Sequence, residues 1–268
     1  MEHIPYFKLN HGAQEDKIMA TPIKAVSFDL WDTVFIDDSD EPKRAAQGLV
    51  TKVEARQFLL LDALSQHHNV DADQVRTAYK SNEEVFRRVW HDEFKTMTVS
   101  HRIGLLLEEM GLSLPDEALD RVVRGWEEME HDIAPDLAPG VADVLERLAG
   151  QYSLAVISDA IVSPGRVLRL ILQKYGLLDY FKVFTFSDEI GASKPAPIVF
   201  EDTVRQLLCQ PGEVVHIGDR GHNDIQGPHM IGMKAILYTG VKPRPMEEHK
   251  PDAVCGDYTQ LPDIIASL

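Results

Sequence analysis

Cysteine is scarce in this chain: Cys209 and Cys255 are its two, in 268 residues. They lie far apart and lack metal-ligand spacing, which excludes a disulfide framework and a zinc knuckle, and both read as buried apolar residues of a reducing compartment. Long apolar runs are also missing. No stretch approaches the ~20 residues needed to cross a bilayer, and residues 1–20 are polar and acidic where an export signal would be basic and then apolar. A cytoplasmic protein with no membrane partner is expected. Positive charge is in short supply, with 27 Lys and Arg against 43 Asp and Glu and a net charge of −16. Such a field repels nucleic-acid backbones and anionic lipid, so nucleic acid is excluded as a partner as well. Neither repeats nor low-complexity tracts occur. What remains, 44% hydrophobic and 26% charged, is the composition of an ordinary globular enzyme.

Short β-rich apolar runs recur along the chain: KAVSFDLW from Lys24, LAVISD at 154–159, VFTF at 183–186, EVVHIGD at 213–219 and KAILYT at 234–239. Helical patterns such as GVADVLERLAG and PAPIVFEDTVRQLL separate the later ones. Continuous apolar strands alternating with helices predict a Rossmann-like, doubly wound parallel sheet in an α/β fold. Residues 36–137 differ. They hold no strand signal and four helical stretches, EPKRAAQGLVTKVEARQFLLLDAL, DADQVRTAYKSNEEVFRRVW, TVSHRIGLLLEEMG and DEALDRVVRGWEEMEHD. An insert of that length is too long for a crossover and large enough for its own core. The expected organisation is an extension over 1–20, an α/β core made of 21–35 and 138–268, and an all-helical cap over 36–137 inserted after the first strand.

Open parallel sheets bind ligands at the carboxyl ends of their strands. At those ends the sequence places Asp29, Asp32 and Thr33, then Ser158 and Asp159, then Lys194 in the loop SDEIGASKPAP, and finally Asp219 and Asp224. Singly, each is a common turn or capping residue. Together they suggest chemistry, because Asp29, Asp219 and Asp224 cannot all ionise in one cleft without a cation. A hard divalent ion is implied, and magnesium suits a site of carboxylates, waters and substrate phosphate. Lys194 would neutralise Asp29 and a phosphoryl group, whose oxygens the Ser158 hydroxyl would hold. Arg220 and His222, next to Asp219, are candidates to face the substrate, although Asn223 and Asp224 also fit a helix start.

The motifs FDLWDT, VISD, SKP and HIGDRGHND, in this order, resemble the four motifs of the haloacid dehalogenase superfamily over residues 24–35 and about 138–240. The resemblance implies a hydrolase with Asp29 as nucleophile and Ser158 and Lys194 as catalytic partners; Thr33, Asp159 and Arg220 are the substrate-binding candidates. It further implies a magnesium ion held by Asp29, Asp219, Asp224 and the Trp31 carbonyl, and a helical cap that selects a small phosphorylated metabolite. A monomer or homodimer is expected. One position departs from the pattern. The family's phosphatases carry an acid–base Asp two residues beyond the nucleophile, and Trp31 stands there; an indole N–H cannot transfer that proton. The departure leaves room for a dehalogenase, for a phosphonatase using Lys52 or Lys80, or for a phosphate-binding module without turnover. Asp32 is a candidate replacement acid. Trp90, His91, Trp126 and His131 of the cap read mainly as packing residues.

Overall fold

The computed structural model describes residues 22–244 and 249–268, so the proposed extension over 1–20 lies outside the described residues. The sheet has six strands in the order β3-β2-β1-β4-β5-β6: β1 Ala25–Phe28, β2 Ser153–Ser158, β3 Phe181–Phe186, β4 Val214–Gly218, β5 Lys234–Tyr238 and β6 Ala253–Cys255. Every pairing is parallel. The first five occupy the predicted runs. The last has only three residues, one of them the exposed Val254, and carries no apolar run by which sequence could announce it.

Both faces of the sheet are covered, which is why its strands read as unbroken apolar runs. Val26, Phe28, Leu154 and Val156 pack into one large cluster, while Ala25, Ile157 and Val214 belong to another on the opposite face with Val199 and Phe200. The winding reverses at β1: the chain moves outward through β2 and β3, then returns to add β4 on the other side of β1. That reversal opens a crevice at the carboxyl ends of β1 and β4.

Between β1 and β2 the chain forms α1 Asp40–Ala46, α2 Lys52–Ser65, α3 Ala72–Glu93, α4 Val99–Met110, α5 Asp116–Glu127, α6 Met129–Asp132 and α7 Val141–Ala149. The first helical stretch of the sequence is thus two helices. Gly48, with φ of 72°, ends the first, and a reciprocal capping box between Thr51 and Glu54 starts the second. Helices α2 to α5 bury Leu60, Leu64, Tyr79, Ile103, Leu106 and Trp126 in an apolar cluster separate from those of the sheet. The remaining helices are α8 Gly165–Lys174, α9 Ser187–Ile190, α10 Pro197–Leu207, α11 Gly227–Met230 and α12 Leu261–Ala266. Among the described residues no helix is long and apolar enough to cross a membrane. Cys255 is buried as expected, whereas Cys209 is partly exposed; both are free thiols.

Candidate active site

Asp29 directly follows β1, its N–H extending the ladder to the Ile217 carbonyl at 2.8 Å. The sheet thereby delivers its carboxylate to the crevice. Lys194, from the loop before α10, donates to Asp29 Oδ1 at 2.7 Å and to Asp224 Oδ1 at 2.6 Å. All three side chains are buried. Burial pushes the Asp29 carboxyl above its ordinary value; Lys194 opposes this and Asp224 adds to it. Burial also acts on Asp224, but there Lys194 and the hydrogen-bonded His216 outweigh it and hold the carboxyl below the usual range. The ammonium of Lys194 stays charged, since Asp224, Asp29 and Asp159 overcome its own desolvation.

Asp224 sits in a π-type turn, Gly221–Gln226, which folds it back to accept the Arg220 N–H at 2.9 Å. Gly218 makes room for it: a Cβ there would fall 2.3 Å from the Asp224 Cγ. His216 supports it from below, with Nε2 3.2 Å from Asp224 Oδ1 and Nδ1 2.9 Å from Ser27 Oγ. Neither His216 nor Ser27 figures among the sequence candidates. A histidine inside the apolar strand VVHIG was the available signal.

Asp219 completes an acidic trio. One oxygen of each of Asp29, Asp219 and Asp224 lies within 4.8 Å of the others. Its carboxyl is pushed up to about 7 by burial, then by Asp224 and Asp29. Asp219 Oδ1 is enclosed without a hydrogen-bond partner. An orphaned carboxylate oxygen in a crowd of acids is the donor set of a hard cation, and the residues fit magnesium. Arg244, which the sequence did not single out, reaches in from the loop after β5 to bond Asp219 Oδ2.

Above these residues lies a cavity of about 230 Å³ bordered by Asp29, Trp31, Asp159, Lys194, Arg220 and Asp224 from the core, and by Asp37, Asp38, Lys52, Arg56, Trp90 and Glu130 from the insert and its approach. Asp29 Oδ1 is taken by Lys194, while Oδ2 has no hydrogen bond among the described residues and is not enclosed. Asp29 borders the cavity. Ser158 is fully buried and its hydroxyl lacks a partner. Asp159 accepts the Lys194 N–H at 2.9 Å and the Trp90 indole N–H at 3.2 Å, so it holds the lysine loop and the insert together. Thr33, like Ser158, is fully buried, does not border the cavity and has a hydroxyl without a partner; its carbonyl accepts from the Tyr258 hydroxyl at 2.8 Å.

Two readings change. Asp32 has φ of 55° and directs its carboxylate to Lys242 and Arg244, both at 3.2 Å. It does not border the cavity, so it is not placed to replace the acid missing at Trp31. Lys52 is not a solvated helix lysine. It is buried among Asp40, Glu130 and Asp38 at 2.8, 3.0 and 3.1 Å. Those acids raise its pKa despite desolvation, and a protonated amine is no Schiff-base nucleophile. Trp90 proves to be a cavity wall as well as a packing residue, whereas Trp126 is buried in the insert's cluster.

Comparison with known proteins agrees with this architecture. The family model for haloacid dehalogenase-like hydrolases matches residues 71–238. A glyceraldehyde 3-phosphate phosphatase of Methanopyrus kandleri is 24% identical over 87% of this chain and 91% of its own length. The enzyme of the same name from Pyrococcus furiosus is 32% identical over 48% of this chain and 53% of its own. Among solved structures, a 2-haloacid dehalogenase from Pseudomonas syringae pv. Tomato superposes with a TM-score of 0.65 at 25% identity, covering 91% of this chain and 99% of that one. A HAD phosphatase from Thermococcus onnurineus has a TM-score of 0.60 at 24% identity, over 91% and 98%. With the parallel sheet, the crevice at its winding reversal and more than half its length matched, the chain belongs to the haloacid dehalogenase-like hydrolases.

Proposed function

We propose that the chain is a magnesium-dependent phosphatase acting on a small phosphorylated metabolite through Asp29 as nucleophile, with the helical insert serving as its cap. The observation that carries the reading is the asymmetry of Asp29 at the edge of the cavity, one oxygen fixed by the buried Lys194 and the other without a hydrogen bond among the described residues. Asp29 Oδ2 attacks phosphorus while the bond from phosphorus to the leaving oxygen breaks; water then hydrolyses the aspartyl phosphate. Lys194 and the unpartnered Ser158 hydroxyl hold phosphoryl oxygens. Asp29, Asp219, Asp224 and the Trp31 carbonyl would hold a magnesium ion, which when bound would supply positive charge against the transferred group. Asp159 keeps Lys194 in place, and Arg220 faces the substrate.

Trp31 cannot protonate a leaving alkoxide. General acid–base help of that kind is worth ~10²–10⁴ in rate, so the reading predicts faster turnover of acyl phosphates and aryl esters than of alkyl esters. Phosphate release from a panel including glyceraldehyde 3-phosphate, acetyl phosphate and p-nitrophenyl phosphate, with magnesium or chelator, tests it. Release that needs magnesium and vanishes in Asp29→Asn supports the reading; release unaffected by chelator, or retained in Asp29→Asn, overturns it. Trp31 and the dehalogenase neighbour favour a second reading, halide displacement by Asp29. Chloride release from 2-chloropropionate that persists in chelator would identify it.

A further inference from the structure

Four cations border the cavity: Lys52, Arg56, Lys194 and Arg220. Lys194 is paired with Asp29 and Asp224, Lys52 with Asp40, Glu130 and Asp38. Arg220 has Asp219 at 3.9 Å and lies 5.9 Å from the centre of the Trp90 ring. Arg56 has no ion pair among the described residues, although it is only 8% exposed. Its Nε is enclosed without a partner. Its guanidinium is hydrogen-bonded to the Tyr79 hydroxyl, a neutral partner, and Arg56 borders the cavity. Nearby groups offer no counter-charge. The Tyr79 phenol stays neutral, its pKa raised by burial in spite of Arg56, and Arg102 is a second cation bound to Glu83.

A buried guanidinium without an anion is an expensive arrangement, and truncation of its surroundings does not explain it: Arg56 lies on the inner face of α2, four residues from Lys52 and four from Leu60, and its carbonyl takes the Trp126 indole N–H at 3.0 Å. The fold therefore presents the charge to whatever fills the cavity. We propose that Arg56 binds a carboxylate on the substrate, so that the preferred substrates are phosphorylated carboxylic acids, gripped through the phosphoryl group by the core and through the carboxylate by the insert. A planar carboxylate matches the donor fork of a guanidinium, which a single hydrogen bond to a neutral phenol leaves without a counter-charge. It also suits the wall, since Asp37, Asp38 and Glu130 border the same cavity and repel a dianion more than a monoanion.

The proposal rests on Asp29 as the reacting group, and binding separates it from turnover. Titration calorimetry of Asp29→Asn in magnesium, with 3-phosphoglycerate and with glycerol 3-phosphate, compares ligands that differ chiefly in the carboxylate. Binding of 3-phosphoglycerate at least tenfold tighter is expected. Adding Arg56→Met should bring the two affinities within about twofold, and Arg56→Lys should keep part of the preference. Equal affinities, no binding of 3-phosphoglycerate, or a preference that survives Arg56→Met in a variant with unchanged circular dichroism overturns the assignment. The comparison with Arg56 intact decides the matter even if Arg56→Met fails to fold. A carboxylate preference in binding, combined with no phosphate release by the unaltered protein, leaves Arg56 assigned and removes the phosphatase reading.

Discussion

At the scale of single residues, the site is a balance of charges that burial makes expensive. Lys194 serves two buried carboxylates. Lys194→Met leaves both without their cation and should destabilise the fold by about 3–5 kcal/mol in chelator. Magnesium should recover much of that loss, and thermal unfolding with and without the ion reads the difference. Asp37 illustrates the opposite case. Its carboxyl is pushed from 3.8 to about 6 by burial, then by Asp38, Asp32 and Glu130. The native state thus holds a proton that the unfolded chain gives up at lower pH, and the fold loses stability as pH rises from about 4 through 6. Asp37→Asn should raise stability at about pH 8 by roughly 1–2 kcal/mol, after allowance for solvent screening, and change nothing near pH 3. Unfolding by urea at the two pH values checks it.

At the scale of elements, the insert contributes much of its wall through the start of α2, with Trp90 of α3 and Glu130 of α6 beside it. The capping box at Thr51 and Glu54 fixes the first turn of α2, which carries Lys52 and leads to Arg56. Thr51→Ala should cost about 1 kcal/mol and, by fraying that turn, raise KM more than it lowers kcat. Thermal melts and initial rates measure both. This is also where sequence reading succeeds and fails for identifiable reasons. The strands β1 to β5 are legible because burial on both faces makes them unbroken apolar runs, and the acids at their ends are legible because a parallel sheet sends such residues to one crevice. Arg56 escapes notice, and Lys52 is legible only as a helix lysine, because a cation in a helix ordinarily faces water; nothing local reveals that Glu130, far along the chain, will bury Lys52. Arg244 is silent for a similar reason, being a loop arginine whose partners Asp219 and Asp32 are distant in sequence. Trp31 is legible as a departure but not as a cavity wall.

At the scale of the whole molecule, several of the polar contacts between sheet and insert cluster around the site. Trp90 of α3 bonds Asp159 at the end of β2, and the Thr96 hydroxyl lies 2.6 Å from those of both Ser187 and Ser193. Ser187 in turn accepts the Ala160 N–H at 2.8 Å, so the same contacts that join insert to sheet also shape the loop after β2.

The placement of the tryptophans gives the molecule an optical property. The chain has three. Trp31 and Trp90 border the cavity, while Trp126 is 1% exposed in the interior of the insert. Two emitters therefore sense the cavity's water and charge, and the third supplies a steady background. Filling the cavity with magnesium and a phosphate ester should shift and quench the emission of Asp29→Asn in a saturable way, and Trp90→Phe should remove a large part of that response. Steady-state fluorescence titration makes the measurement without any label. The enzyme carries its own dye at the mouth of its site.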